Sequence, residues 1–479
     1  MASARPGAVL AADLGASSGR VILGEVGPDR LELTELARFR NGPVRLPDGL
    51  YWDVLGLYQD VLGGLREARH RSDVVGVAVD SWAVDYGLLD AGGALLANPV
   101  HYRDARGTAG MAAVTSAVPP AELYEINGLQ QLPLNTVYQL AADAERVVRA
   151  DRLLLVPDLV GYWLTGVAVT ERTNASTTGL LDVHTSEWSK ELIARLDLPE
   201  RLFTELVDPG SVVGRLSDAV RADTGLPPSV LLSTVGSHDT ASAVVGVPAQ
   251  RPGFGYIACG TWGLVGVELE RPVLDEQSAA ANFTNELGVD GTVRYLRNVM
   301  GLWLLQESLR AWALSGQAVE LTTVLAQAAA LPAGGPTVDA ESPAFLAPGG
   351  MPERLQLACK ERGDRVPVEP AELVRCIVDS LAGSLARGLR DAARLSGTQL
   401  EVVHMVGGGA QNGLLCQLVA DATGLPLVAG PVEATAIGNL VVQARTHGLV
   451  DGDLWALRSL VRATQPVVNY APRLSGRRT

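Results

Sequence analysis

The apolar positions of this 479-residue chain fall into short runs joined by glycine- and serine-rich turns, interleaved with stretches of helical spacing. Ala8-Val-Leu-Ala-Ala12 and Val21-Ile-Leu23 flank a Gly/Ser turn, which predicts a β-hairpin. Val54, Leu57, Tyr58, Val61, Leu62 and Leu65 share one face of a predicted helix over 54–68. Val74–Val79 reads as a buried strand that delivers Asp80-Ser-Trp-Ala-Val-Asp85 to a sheet edge, followed by a strand and turn over Tyr86–Gly93. The span His101–Leu140 is polar and irregular, as functional loops and solvated connections both are. Leu153–Gly166 reads as a core element ending in glycine, and Asn174–Gly179 as a polar turn before an amphipathic helix at 188–196.

Near the midpoint, Val230–Val235 has the look of a buried strand and runs into Gly236-Ser-His-Asp-Thr-Ala-Ser-Ala-Val244, where small residues predict a closely packed helix. Phe254–Val267 then repeats the strand, Gly/Thr turn and strand layout of residues 8–26. Leu302, Leu305, Leu309 and Trp312 predict a helix over 296–312 with Asn298 as a cap. Leu373, Ile377, Leu381, Leu385 and Leu389 recur every four residues and predict a buried helix ending near Gly397. Finally, Glu401–Val406 reads as a strand entering the triplet Gly407–Gly409, with Asn412 placed to cap the next helix.

Alternating strands and helices of this kind imply an α/β fold, and the repeated hairpin implies two similar lobes. A length prior of about 150 residues per domain allows two or three domains. The Pro/Gly punctuation Val247-Pro-Ala-Gln-Arg-Pro-Gly253 sets the boundary, giving 1–246 and 247–479. With 47% hydrophobic residues the chain can bury substantial cores, and a net charge of -14 argues against a nucleic-acid partner. No apolar run long enough to span a membrane occurs, and Met1-Ala-Ser-Ala-Arg-Pro-Gly7 is unlike a secretory signal, so a cytoplasmic location is expected. Cys259, Cys359, Cys376 and Cys416 lack zinc-ligand spacing, and a Cys359–Cys376 bridge stays open.

Lysine occurs only at Lys190 and Lys360, both in charged surroundings. A Walker loop, a protein-kinase strand lysine and a pyridoxal Schiff base are thereby excluded. Phosphates would instead be held by backbone N–H groups and hydroxyls of a hairpin turn: Ser17, Ser18 and the Arg20 fork suit that task, and Asp13 suits a hydrated Mg²⁺. An ordinary glycine hairpin is the alternative. Trp82 and Ala83 could line a sugar pocket, though core packing is the commoner fate of tryptophan. Asp239 is either a helix cap or the base that activates a hydroxyl for phosphoryl transfer.

Several of these segments together resemble the FGGY carbohydrate kinases nearly end to end. The resemblance rests on Asp13-Leu-Gly-Ala-Ser-Ser-Gly-Arg20, Trp82-Ala-Val-Asp85, Tyr102-Arg-Asp-Ala-Arg106, Leu132-Pro-Leu-Asn-Thr-Val-Tyr138, Ser237-His-Asp-Thr-Ala-Ser242, Cys259-Gly-Thr-Trp262, Asn298-Val-Met-Gly-Leu-Trp303 and Val406-Gly-Gly-Gly-Ala-Gln-Asn412. It implies two actin-like, RNase H-like lobes with an ATP and sugar cleft between them. It further implies ATP contacts from Ala16, Ser17, Ser18, Gly19, Arg20, Thr261, Gln306 and Gly408. Ketose contacts would come from Ala83, His238, Asp239, Thr240 and Asn298, with Asp239 deprotonating O1. Within the family the motifs are most similar to those of the branch acting on L-rhamnulose, so ATP, Mg²⁺ and L-rhamnulose are the expected ligands. The family usually has glycine where this chain has Ala83, which leaves fuculose or xylulose open as the sugar. A filament-forming or chaperone-like ATPase on the same fold also stays open.

Overall fold

A computed structural model describes residues 7–317 and 319–473; Met1–Pro6 of the N-terminal stretch considered above lie outside them. The chain forms two compact units. The first comprises the chain up to Gln250 together with Leu269–Tyr295 and Ala434–Gln465, and the second comprises Arg251–Glu268, Leu296–Glu433 and the chain from Pro466. The main crossing thus falls four residues after Gly246, and two later segments return to the first unit.

In the first unit, strand Gly7–Leu14 pairs antiparallel with Ser18–Gly27, which pairs antiparallel with Arg30–Arg40. On its other side Gly7–Leu14 runs parallel to Val74–Ser81, then come parallel Leu231–Ser233 and antiparallel Val212–Arg215. Every residue of Gly7–Leu14 is buried because both faces of the sheet are covered. Ala8, Leu10, Ala12 and Leu14 join one apolar cluster with residues of helices Val54–Arg66 and Val156–Thr165. Val9 and Ala11, pointing the other way as the strand period requires, join Ile437, Leu440 and Val441 of helix Ala434–Thr446.

The second unit repeats the plan. Strand Phe254–Cys259 is antiparallel to Trp262–Leu269 and parallel to Val402–Val406, followed by parallel Leu427–Ala429 and an antiparallel edge strand, Val468–Tyr470. In both units a hairpin's first strand is succeeded by two parallel strands and an antiparallel edge, so the expected repeat holds at the level of topology. The five-leucine/isoleucine spacing lies inside helix Pro370–Ser396, buried against Ile257, Val265, Val403 and Met405, and the helix stops at Gly397 with φ 72°.

Three local expectations are corrected. Residues 296–300 belong to strand Val293–Met300, and the helix begins only at Trp303 after Leu302, so Asn298 is a strand residue and caps nothing. Val293, Tyr295 and Val299 suit a pleated surface, whereas the helical spacing starts at Leu302. The irregular span 101–140 contains helices Arg106–Ala117, Pro120–Asn127 and Thr136–Ala142. Gly107, Ala109, Gly110, Ala112 and Ala113 give the first of these close packing and almost no apolar period. Asn174–Gly179 is no solvated turn: Asn174, Ser176, Thr177 and Thr178 are buried, and the hydroxyls of the last three donate to the carbonyls of Thr173, Asn174 and Ala175.

Lys190 and Lys360 are exposed. The four cysteines are buried free thiols, with the Cys359 and Cys376 sulfurs 3.9 Å apart. Among the described residues, no helix is long and apolar enough to cross a membrane.

Candidate active site

Three parallel strands of the first sheet end side by side, and the carboxyl ends of such strands are where α/β proteins place their ligands. Asp13 and Asp80 are direct register partners at two of those ends. Beside them the Ser81 N–H donates to the Ser237 carbonyl at 2.9 Å, and Ser81 bridges to His238, which brings the Gly236–Asp239 segment to the same edge.

Asp239 is the first residue of helix Asp239–Val245, and His238 occupies the capping position without a side-chain cap bond. The carboxylate therefore does not cap the helix. Its side chain keeps 29% of its exposure, while Thr240 Oγ1 donates to its Oδ1 at 3.1 Å and His238 Nε2 lies 3.4 Å from the same oxygen. Burial and the nearby Asp13 charge raise its pKa against the opposing pull of His238. The helix can sit this close to the sheet edge because its neighbour, Ala434–Thr446, offers Gly438: a Cβ there would fall 1.8 Å from the Ser242 carbonyl oxygen.

Asp80 is fully buried and bound through Oδ2 to Asn439 Nδ2 at 2.5 Å, and Asn439 Oδ1 accepts from Gln443 Nε2 at 2.6 Å. Its Oδ1 has no hydrogen-bond partner among the described residues. Burial, then Asp13, then Asp239 push its pKa well up. Three carboxylates crowded in this way are an electrostatic sink for a cation, and an orphaned buried oxygen adds to it. Yet among the described residues no three acidic, histidine or cysteine side chains converge as direct metal ligands. A divalent cation held beside these carboxylates would have to keep several of its waters.

The hairpin turn lies alongside. Gly15 N–H donates to the Ser18 carbonyl at 2.9 Å, and Asn41 ties the turn from outside through Gly15 and Ser17. Ala16 and Ser18 are half-buried, Ser17 is exposed and Gly19 is buried. Arg20 faces Asp13, its Nη2 donating to Oδ2 at 2.5 Å.

Ala83 sits half-buried in a tight turn whose next residue, Val84, has φ 69°. A β-branched residue in that region is strained and needs outside support. Thr136 Oγ1 supplies it by donating to the Val84 carbonyl at 2.7 Å. Asp85 supplies more: its carboxylate accepts from Trp52 Nε1 at 2.5 Å, Trp82 Nε1 at 3.0 Å, Gln139 Nε2 at 2.8 Å and the Tyr102 N–H at 3.2 Å. Trp82 is thus mostly core, 5% exposed and packed on Trp52 at 4.0 Å between ring centroids.

The other expected residues belong to the second unit. Thr261 lies in the hairpin turn and donates through Oγ1 to Gln306 Oε1 at 3.4 Å, so this pair does come together. Asn298 is half-buried on its strand. In the glycine triplet, added Cβ atoms at Gly407 and Gly409 would meet Cys259 at 3.0 and 2.4 Å, whereas Gly408 is exposed with nothing within 4 Å. Two glycines of the three serve the fold, and one is open to a ligand.

Two groups escaped the sequence reading. Glu171 is fully buried and accepts from the Thr173 N–H and hydroxyl, the Asn174 N–H and both the N–H and hydroxyl of Ser237. Arg294, 0% exposed, pairs with buried Glu286 at 3.0 Å, and both reach His238. Neither lies in a recognisable motif; each is a charged residue inside a short polar or strand segment, where only tertiary burial reveals its role.

The profile of the FGGY family of carbohydrate kinases matches in two parts: its N-terminal domain over residues 9–246 and its C-terminal domain over residues 255–447. A rhamnulokinase of Enterococcus faecalis is 39% identical over 96% of this chain and 93% of its own length. One from Pectobacterium carotovorum is 40% identical over 97% and 93%, and one from Bacillus subtilis 35% over 97% and 95%. Among solved structures, a xylulose kinase from Lactobacillus acidophilus aligns with TM-score 0.79 at 16% identity, over 97% of this chain and 94% of that one. A xylulose kinase from Rhodospirillum rubrum aligns with TM-score 0.77 at 20% identity, over 98% and 95%. At such identities the likeness is one of fold.

Proposed function

The chain belongs to the FGGY family of carbohydrate kinases, and on that premise we propose that it transfers the γ-phosphoryl group of ATP to O1 of L-rhamnulose, giving L-rhamnulose 1-phosphate and ADP. The observation that carries this reading is the state of Asp239: a partly exposed carboxylate at a strand-end cluster, in the first turn of its helix, with Thr240 Oγ1 and His238 Nε2 both on its Oδ1 side. The rhamnulokinase relatives, which span nearly the whole chain, support the choice of sugar.

Asp239 takes the O1 proton as O1 forms its bond to the γ-phosphorus, and the bond from that phosphorus to the bridging oxygen of ADP breaks. His238, Thr240 and Asn298 contact the sugar, with Ala83 on its apolar side. Ala16, Ser17, Ser18, Gly19 and Arg20 hold phosphates, while Thr261, Gln306 and Gly408 bind the nucleotide. Asp13 holds hydrated Mg²⁺, which would neutralise charge on the phosphates when bound. The same reading assigns residues 1–246 to an N-terminal family lobe and 247–479 to a C-terminal one.

A coupled ADP-release assay over L-rhamnulose, L-fuculose and D-xylulose tests the proposal. Highest kcat/KM on L-rhamnulose is expected. Equal or better turnover of another ketose would replace the sugar, and nucleotide hydrolysis indifferent to every ketose, with filament growth in ATP, would replace the activity. Ala83 is the observation that keeps the other ketoses in the panel, because its methyl group narrows the space that a glycine would leave.

A further inference from the structure

His238 is the side chain through which the interior of the first unit reaches Asp239. Its Nδ1 lies 3.2 Å from Arg294 Nη2 and 3.2 Å from Glu286 Oε2, and its Nε2 lies 3.4 Å from Asp239 Oδ1. One ring nitrogen cannot serve both neighbours, since guanidinium only donates and carboxylate only accepts. Geometry separates them. Arg294 meets Nδ1 as a hydrogen bond, while Glu286 Oε2 forms none of acceptable geometry and stands 3.0 Å from Arg294 Nη1 as its counter-charge. Arg294 Nε is fixed by the Leu287 carbonyl at 3.0 Å, which aims the fork.

We propose that Arg294, neutralised by Glu286, is a positioning residue: its donation to Nδ1 fixes the His238 ring as the Nε2–H tautomer, so that a donor always faces Asp239. The opposite tautomer would set an N–H against the guanidinium and aim a lone pair at the Asp239 carboxylate, repulsive at both ends. Thr240 Oγ1 donates to Asp239 Oδ1 at 3.1 Å, and the Nε2–H stands 3.4 Å from the same oxygen. Oδ2 is then the oxygen left to receive the sugar proton. A buried ion pair is weak support for stability in itself, and its contact with the one histidine of the site supplies a use for it. The catalytic half of this inference rests on the proposed kinase reading; the tautomer does not.

The test uses the full chain with ¹⁵N-labelled histidine. Long-range ¹H–¹⁵N spectra report which ring nitrogen is protonated, and His238→Gln identifies the resonance among the six histidines. The wild type should carry its proton on Nε2. Arg294→Gln should shift the proton toward Nδ1, where Glu286 accepts it, and should lower kcat by about 10- to 100-fold as expected for a misaligned base, with ADP affinity by calorimetry retained. Glu286→Gln should leave the proton on Nε2, because the arginine donor remains. A wild-type ring protonated on Nδ1, or an Arg294→Gln ring still protonated on Nε2, overturns the proposal. Should Arg294→Gln not fold, the wild-type and Glu286→Gln spectra decide, with Nδ1 protonation in either overturning it. Absence of sugar-dependent ADP release from a wild type with the expected tautomer would sink the kinase reading and leave the tautomer standing.

Discussion

Glu171 holds Ser237 at two points, accepting from its backbone N–H at 3.1 Å and from its hydroxyl at 2.7 Å. The clamp lies two residues before Asp239 and spans 66 positions of sequence. A carboxylate with five donors aimed at it can be replaced only by another full acceptor. Glu171→Gln turns one oxygen into an NH₂ group facing donors. We expect a loss of about 1–3 kcal/mol of stability from the mismatched buried groups, visible as a lowered Tm. We also expect kcat to fall about 10- to 100-fold through misplacement of the Asp239 segment, with nucleotide affinity retained. Wild-type kcat in a folded Glu171→Gln variant would show that the clamp has no bearing on the reaction.

Asp239→Asn removes the proposed proton acceptor while keeping the side chain's shape. Turnover should fall by roughly 10²-fold or more, the usual scale for loss of a general base. Calorimetric binding of ADP should persist, because the residues proposed to hold the nucleotide lie elsewhere. A near wild-type rate would remove Asp239 from its role.

What was legible in the sequence was periodic or carried by glycine and serine turns. The hairpins, the helix ending at Gly397 and the Asn412 cap, whose Oδ1 accepts from the Leu415 N–H at 3.1 Å, all show in local pattern. What escaped was set by distant parts of the chain. The Leu296–Met300 stretch has apolar residues that fit either period until a neighbouring strand chooses one. Glu171, Glu286 and Arg294 look like surface charges in sequence, and only burial with a complete set of partners makes them structural groups of the site.

The glycine triplet allows one position to be separated from its neighbours. Gly408→Ala meets nothing within 4 Å, so Tm should hold while KM for ATP rises, if that surface receives the nucleotide. Gly409→Ala would put its methyl group 2.4 Å from Cys259 Cβ and should lower Tm instead. Unchanged KM in Gly408→Ala would take the nucleotide off this turn, and unchanged Tm in Gly409→Ala would mean the strand below yields easily.

Asp85 gives the stability of the turn that carries Ala83 and Val84 a pH dependence of predictable sign. Burial pushes its pKa up to about 6, against the opposing donors Gln139, Trp52, Trp82 and the Tyr102 N–H, while an unfolded aspartate titrates near 3.9. The folded state therefore holds a proton that the unfolded state has lost between about pH 4 and 6. The stability this group contributes is full below pH 4 and is lost as pH rises through about 6, a change of about 3 kcal/mol at 1.36 kcal/mol per unit. Asp85→Asn cannot titrate, so its deficit in Tm relative to wild type should be largest near pH 4.5 and smaller at pH 7.5. The comparison cancels groups that titrate alike in both proteins. A deficit that grows toward pH 7.5 would show the four donors to outweigh burial, placing the ionised carboxylate as the favoured form of this hub.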